Sequence, residues 1–215
     1  MQDDSHLESK RRPGGRTARN RAAVLEAAMA ELVERGYAET SMEKIAARAG
    51  VATSTVYRRW ANLEGLIQDL AYNFADEAGV PAGGEAFPDS GDLEIDLRAL
   101  ARVIVTLYQH VAQRAWLDVM VAASVRDPAA RETLSSVLGY RIKTTSLLVQ
   151  RAIDRGEVPA DTDPEEVIRM VGAPFYYRML VTDEPIDFPL ADRVSAMVAH
   201  AARAGILVRQ GPPSK

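Results

Sequence analysis

The sequence predicts an all-α protein of about nine helices, a basic three-helix head followed by a longer helical bundle. Three observations carry that prediction. Strand signals are scarce: alternating β-branched runs and Asn-Gly or Asp-Gly hairpin turns do not occur. Apolar residues recur instead at three- and four-residue spacing along most of the chain. Helix start and stop residues punctuate those periodic stretches at regular intervals.

In residues 18–35 the apolar positions Val24, Leu25, Ala28, Met29, Leu32 and Val33 form one stripe. Thr17 is placed to cap that helix. Gly36 can take a positive φ after its last turn, with Tyr37 packing back. Thr40 and Glu43 have capping-box spacing, so a short helix runs from there to about Ala49 and stops at Gly50. A second short helix occupies 53–60, and Asn62 caps a longer one over 63–78 that carries Leu66, Ile67, Leu70, Tyr72 and Phe74. Residues 79–92 (GVPAGGEAFPDSGD) are rich in Gly and Pro and read as a loop. Helices are then expected over 93–112, 113–126, 128–155, 164–181 and 189–204. Asp127–Pro128 and Asp163–Pro164 are helix starts, with a capping acid before a proline in the first turn. Pro174 lies inside its helix and is expected to kink it. The closing RQGPPSK reads as a loose tail.

Composition bounds the function. The chain has 215 residues, 47% of them hydrophobic, enough for a sizeable core. It has no cysteine, which removes disulfides, thiolate metal sites and a cysteine nucleophile. No apolar run approaches the roughly 18–20 residues of a membrane-spanning helix. The N-terminal MQDDSHLESKRRPGGR lacks the apolar stretch of a secretory signal. A cytoplasmic protein without membrane attachment is the expectation. The formal charge of −4 conceals an asymmetry: residues 9–60 carry eleven Lys/Arg against five Asp/Glu, and residues 61–215 carry fifteen against twenty-two. A basic first quarter on an acidic body fits a polyanion-binding head; a solubilising basic tail is the other reading.

The stretch SMEKIAARAGVATSTVYRRW, residues 41–60, sharpens this. A helix-turn-helix needs a small residue where two short helices cross, a glycine in the turn, and branched apolar residues as a clamp. Ala46 is the small residue, Gly50 the turn, and Ile45, Ala49, Val51 and Val56 the clamp. The second helix then presents Thr53, Ser54, Thr55, Tyr57 and Arg58 outward. Hydroxyls and guanidinium groups donate to phosphate, and arginine also pairs with guanine in the major groove. An ordinary helical hairpin with a solvated arginine pair is the alternative.

Residues 36–67, GYAETSMEKIAARAGVATSTVYRRWANLEGLI, resemble the DNA-binding signature of the TetR family (TetR/AcrR type) of bacterial transcriptional regulators. The likeness covers about residues 17–70 and includes Gly36–Tyr37, Thr40–Ser41, Ile45–Ala46, Ala49–Gly50–Val51, Thr55–Val56–Tyr57 and Trp60. VGAPFYYRMLVTDEPID is similar to the last-but-one helix of one subgroup. The resemblance implies an all-α homodimer in the bacterial cytoplasm, each subunit a reading head joined through its fourth helix to a ligand-binding bundle. It divides the chain into an arm (1–16), a helix-turn-helix domain (17–62), a ligand-binding and dimerisation domain (63–208) and a tail (209–215).

Carried over by position, Thr53, Ser54, Tyr57 and Arg58 face the bases. Thr55, Arg59, Tyr57, Thr40 and Ser41 face the DNA backbone, and Arg16 is counted with them. Two departures stand out. Ala52 occupies the place of a capping serine, which would shift the cap to Thr53. Leu63 replaces a phosphate-binding lysine. The arm SKRRPGGRTARNR, with Lys10, Arg11, Arg12, Arg16, Arg19 and Arg21, either lies in a minor groove or remains a solvated tail. With roughly five phosphates neutralised per subunit, the salt slope of a dimer would be about −9.

The resemblance further implies a pocket below the fourth helix for an apolar or aromatic molecule. Tyr108, Trp116, Met120, Tyr140, Phe175, Tyr176 and Met179 supply the large side chains of the body, with plain bundle core as the alternative for each. Trp116, Met120, Phe175 and Tyr176 are the candidate pocket residues, and Arg114 or Arg178 the candidate partner for an anionic ligand. Helices over 164–181 and 189–204 would form the dimer interface, which predicts a palindromic operator on double-stranded DNA. The functional expectation is a repressor released from that operator by a small molecule. A regulator or architectural factor without a small ligand, answering to a protein partner, is the other reading.

An enzyme is disfavoured. His6, His110 and His200 are far apart and sit in no metal-ligand spacing. Asp161 and Asp163 lack the glycine turn of a calcium loop and read as a helix start. Neither a metal nor another cofactor is expected.

Overall fold

The computed structural model describes residues 13–77, 87 and 89–209. Among them are ten α-helices and no strand. One isolated antiparallel bridge joins Thr162 to Val208. The helices are α1 (Pro13–Arg35), α2 (Met42–Arg48), α3 (Thr53–Arg59), α4 (Leu63–Glu77), α5 (Leu93–Gln109), α6 (Val111–Ser124), α7 (Pro128–Thr145), α8 (Leu147–Asp154), α9 (Pro164–Tyr177) and α10 (Phe188–Arg203). The expected all-α class is the observed one.

Helix α1 starts earlier than the sequence reading placed it. Pro13 fits a first turn, where its missing N–H costs nothing. Thr17 therefore lies inside the helix and caps nothing, and the boundary drawn at residue 16 falls within α1. Most of the apolar stripe of α1 is buried, but Val33 is 53% exposed and turned away from the core. At Gly36 the chain adopts φ +78° and ψ 171°, a region open only to glycine. A single 3₁₀ turn, Tyr37–Glu39, follows and packs on α6, burying Tyr37.

The crossing of α2 and α3 is built as expected. Gly50 has φ +65°, its amide donates to Ala47 O (3.2 Å), and the Val51 amide donates to Ala46 O (3.1 Å). This bond pair ends α2 in a glycine C-cap that turns the chain directly into α3. Ile45, Ala46 and Val56 are fully buried in the crossing. Each large apolar side chain buried there contributes about 1.5–3 kcal/mol.

The long helix expected over 128–155 is two helices. Thr144, Thr145 and Ser146 turn their hydroxyls back onto the carbonyls of Tyr140 (3.0 Å), Arg141 (2.7 Å) and Lys143 (2.8 Å). Three such bonds in succession compete with the helical ladder and break it at Ser146. Helix α9 ends at Tyr177 and widens into a π-helical turn, Arg178–Thr182. Pro174 precedes that turn and offers no amide to the carbonyl one turn back. Asp127 and Asp163 cap α7 and α9 as expected, each accepting two backbone N–H bonds. Asp92 caps α5 in the same way, and Asp187 caps α10 with one bond, from the Leu190 amide.

Helices α5 and α10 pack together most extensively, and α6 packs on α7. Helix α1 lies against α2, α4 and α6, so the three-helix head and the body share one continuous apolar core. Among the described residues, no helix is long and apolar enough to cross a membrane.

Candidate DNA interface and ligand cavity

Helix α3 presents Ser54, Tyr57, Arg58 and Arg59 to solvent, while Val56 is buried and anchors the opposite face. Thr53 and Thr55 are half-buried. Ala52 is the N-cap residue of α3 and makes no side-chain cap bond. Thr53 is already the first helical residue, so it does not take over as cap. It stays on the outer surface with Ser54. The Arg59 guanidinium lies over the Trp60 ring, 5.4 Å from its centroid.

Tyr57 Oη donates to Glu43 Oε1 (2.9 Å). That bond pushes the Tyr57 hydroxyl pKa up; the Glu43 carboxyl is held below its usual range by its own backbone amide, then by Tyr57. Glu43 therefore does not complete the expected capping box. Ser41 caps α2 instead, its hydroxyl accepting from the Lys44 amide (3.3 Å). Thr40 is buried, and its hydroxyl donates to Gly36 O (2.7 Å). It faces away from solvent, so it positions the start of α2 and is no surface donor. The Arg16 side chain lies outside the described residues, as does residue 1–12 of the arm.

Arg21 also departs from expectation. Its guanidinium donates to Asp69 Oδ1 (2.7 Å), Asp69 Oδ2 (3.2 Å) and Asn73 Oδ1 (2.7 Å), all on α4. Trp60 Nε1 donates to the same Asp69 carboxylate (2.9 Å). Asp69 thus ties α1 and the end of α3 to α4, and Arg21 is committed to this latch. Asn62 caps α4 through the Gly65 amide (2.9 Å), and the half-buried Leu63 offers no donor at that end.

The body holds a cavity of about 550 Å³ between α4, α5, α7 and α9. Its wall is mostly apolar, with Leu100, Val103, Ile104, Leu107 and Ile168 among the lining residues. Tyr72 and Tyr140 meet edge to face at 5.3 Å, as do Tyr108 and Tyr176 at 5.8 Å. The two hydroxyls of the second pair are 3.1 Å apart. Arg141 donates to Tyr108 Oη (3.2 Å) and to the backbone carbonyl of Ala71 on α4 (3.3 Å). Burial pushes the Tyr176 hydroxyl pKa well up and the Tyr72 hydroxyl up.

Of the four candidate pocket residues, the cavity wall includes Tyr176 alone. Trp116, Met120 and Phe175 are fully buried and lie outside it. They are enclosed by other side chains on all sides, and an apolar helix position looks the same in sequence whether it faces core or void. Arg114 is engaged by Asp118 (3.0 Å) and the Met179 carbonyl (2.7 Å), and Arg178 by Glu184 (3.5 Å) and the Pro185 carbonyl (3.3 Å). Among the described residues, the cations at the cavity are Arg141 and Arg169. Sequence reasoning missed Arg141 and Asp69 because nothing in their spacing marks them.

Two family profiles match the chain. The one described as bacterial regulatory proteins, tetR family, covers residues 24–70. The one described as tetracyclin repressor-like, C-terminal domain, covers residues 87–198. The HTH-type transcriptional regulator AqdR of Rhodococcus erythropolis is 29% identical over 191 residues, 88% of each chain. The DNA-binding transcriptional repressor TetR of Mycobacteroides abscessus is 29% identical over 171 residues, covering 77% of this chain and 84% of that protein. In fold, the chain is similar to a TetR-family regulator of Syntrophomonas wolfei, with a TM-score of 0.68 at 17% identity over 90% of this chain and 99% of that one. The matched segments span both the helix-turn-helix head and the cavity-bearing body. The chain belongs to the TetR family of DNA-binding transcriptional regulators.

Proposed function

We propose that this protein is a dimeric repressor that reads a palindromic operator and is released from it by a small molecule held in the α4–α5–α7–α9 cavity. The observation that carries the reading lies on α4. Within one turn of that helix, Asp69 holds Trp60 and Arg21 of the head, the Ala71 carbonyl accepts from Arg141, and Tyr72 lines the cavity. A displacement of α4 by a ligand therefore acts on the recognition helix directly. A regulator without a small ligand would have no use for an apolar void of this size at that place.

Ser54, Tyr57, Arg58 and Arg59 are the proposed DNA contacts of α3, with Thr53 and Thr55 at its edge and Ser41 at the start of α2. Approaching phosphate would displace the Tyr57 hydroxyl from Glu43. The arm, Arg16 included, adds sequence-independent attraction. For the dimer, α9, the following π turn and α10 offer the surface. Tyr177, Val181, Phe188 and Met197 are 57%, 67%, 47% and 60% exposed there, an apolar concentration unusual for a solvated face.

Arg58→Ala is expected to weaken binding to the cognate operator by about 1–3 kcal/mol and to relax preference at one base pair per half-site. Fluorescence anisotropy against a panel of single-base operator variants measures both. An equal loss on every sequence would make Arg58 a backbone contact. The release half of the proposal is tested on the same operator. A compound that binds the protein tightly should lower operator affinity about five- to 150-fold. Unchanged affinity with every tight-binding compound would remove ligand control and favour a protein partner.

A further inference from the structure

Resting on the reading of the cavity as the effector site, we infer that its ligand is a monoanionic carboxylic acid with a flat apolar body, its carboxylate seated on Arg141. The cavity is rich in donors and poor in acceptors. Among the described residues, its lining contains two guanidinium groups and no carboxylate. Arg169 is already paired, with Glu165 (2.7 Å) and Glu166 (3.3 Å). Arg141 has no carboxylate within ion-pair distance among the described residues; its two partners are the neutral Tyr108 hydroxyl and Ala71 carbonyl, both at the long end of hydrogen bonding.

The hydroxyls add to the imbalance. Tyr108 Oη accepts from Arg141 and shares one proton with Tyr176 Oη, so one of their two protons has no acceptor inside this group. A half-buried cation with only weak neutral partners is stabilised most by a ligand that brings a planar anion, because paired N–H···O⁻ bonds are short and strong. A carboxylate fits one guanidinium fork and can also accept the spare tyrosine proton. A phosphate would bring a second charge that no other unpaired cation among the described lining residues would match. The two edge-to-face tyrosine pairs, at 5.3 and 5.8 Å, bound the remaining space with ring edges and faces, which favours an aromatic body over a flexible chain.

The seat also has a direct consequence for α4. A carboxylate that draws the Arg141 guanidinium to itself takes it from the Ala71 carbonyl, removing the bond between α7 and α4.

The test uses two probes with one ring system, 1-naphthaleneacetate and 1-naphthaleneethanol, titrated calorimetrically into the full-length protein without DNA. The acetate is expected to bind at least about tenfold tighter than the alcohol, a difference of 1.4 kcal/mol. In Arg141→Gln that ratio should fall close to one while alcohol affinity stays within a few-fold, which shows the cavity intact. Arg141→Lys keeps the charge without the fork and should retain part of the preference. Equal binding of the two probes by the wild type, an acid preference that survives Arg141→Gln, or no binding of either probe would each overturn the assignment. None of those results bears on operator release, which stands or falls in the anisotropy assay with other compounds.

Discussion

Replacing Asp69 by alanine is expected to uncouple the head from α4. Among the described residues, the substitution leaves the Arg21 guanidinium with Asn73 alone and takes from the buried Trp60 indole N–H its acceptor at 2.9 Å. Losing a charged acceptor from two donors in a partly buried setting costs about 2–3 kcal/mol. For a chain of this size that lowers the melting temperature by about 4–12 °C. Operator affinity should fall at least about tenfold, since Trp60 directly follows α3 and its ring orients the helix end. Asp69→Asn, which still offers Trp60 an oxygen, should lie between. Calorimetric melting and operator anisotropy check both parts, and wild-type values in both would show that the latch is incidental.

The second large effect is expected from filling the cavity. Ile104 is half-buried on α5 and lines the void. Ile104→Trp places an indole where the protein has no atoms, so stability should hold, whereas the same change in packed core costs about 1–3 kcal/mol. Operator affinity should remain that of the wild type. Any compound that releases the wild-type protein should need at least about a hundredfold higher concentration to release the variant. Ile104→Leu, which leaves the space open, should respond normally. Full response in Ile104→Trp would place the effector elsewhere.

The α2–α3 crossing of the head was legible from its residues, and the reason is geometric. A close helix crossing admits few side chains, so Ala46, Gly50 and Val56 identify themselves by type and spacing. The caps at Asp127 and Asp163 were equally readable because an acid before proline has one strong local meaning. Cap choice between neighbours was not: Thr40 and Ser41 are both good caps, and only packing sends the Thr40 hydroxyl back to Gly36. The break at Ser146 depends on three consecutive back-bonding hydroxyls overriding a helical pattern. The cavity was least legible. Trp116, Met120 and Phe175 have the composition of a pocket wall and the surroundings of solid core. Arg141 and Asp69 carry the proposed signalling contacts, yet each resembles many other charged residues until the fold brings its partners from a distant helix.

The central claim is that two α3 helices, related by a two-fold axis, read one DNA site. The most direct measurement is selection from a pool of random duplexes by the purified full-length protein at moderate salt. The account predicts an enriched palindrome whose half-sites lie about one turn of DNA apart, lost when Arg58 is replaced. No enriched motif, with binding that vanishes as salt is raised, would contradict it and leave the basic head a non-specific polyanion-binding surface.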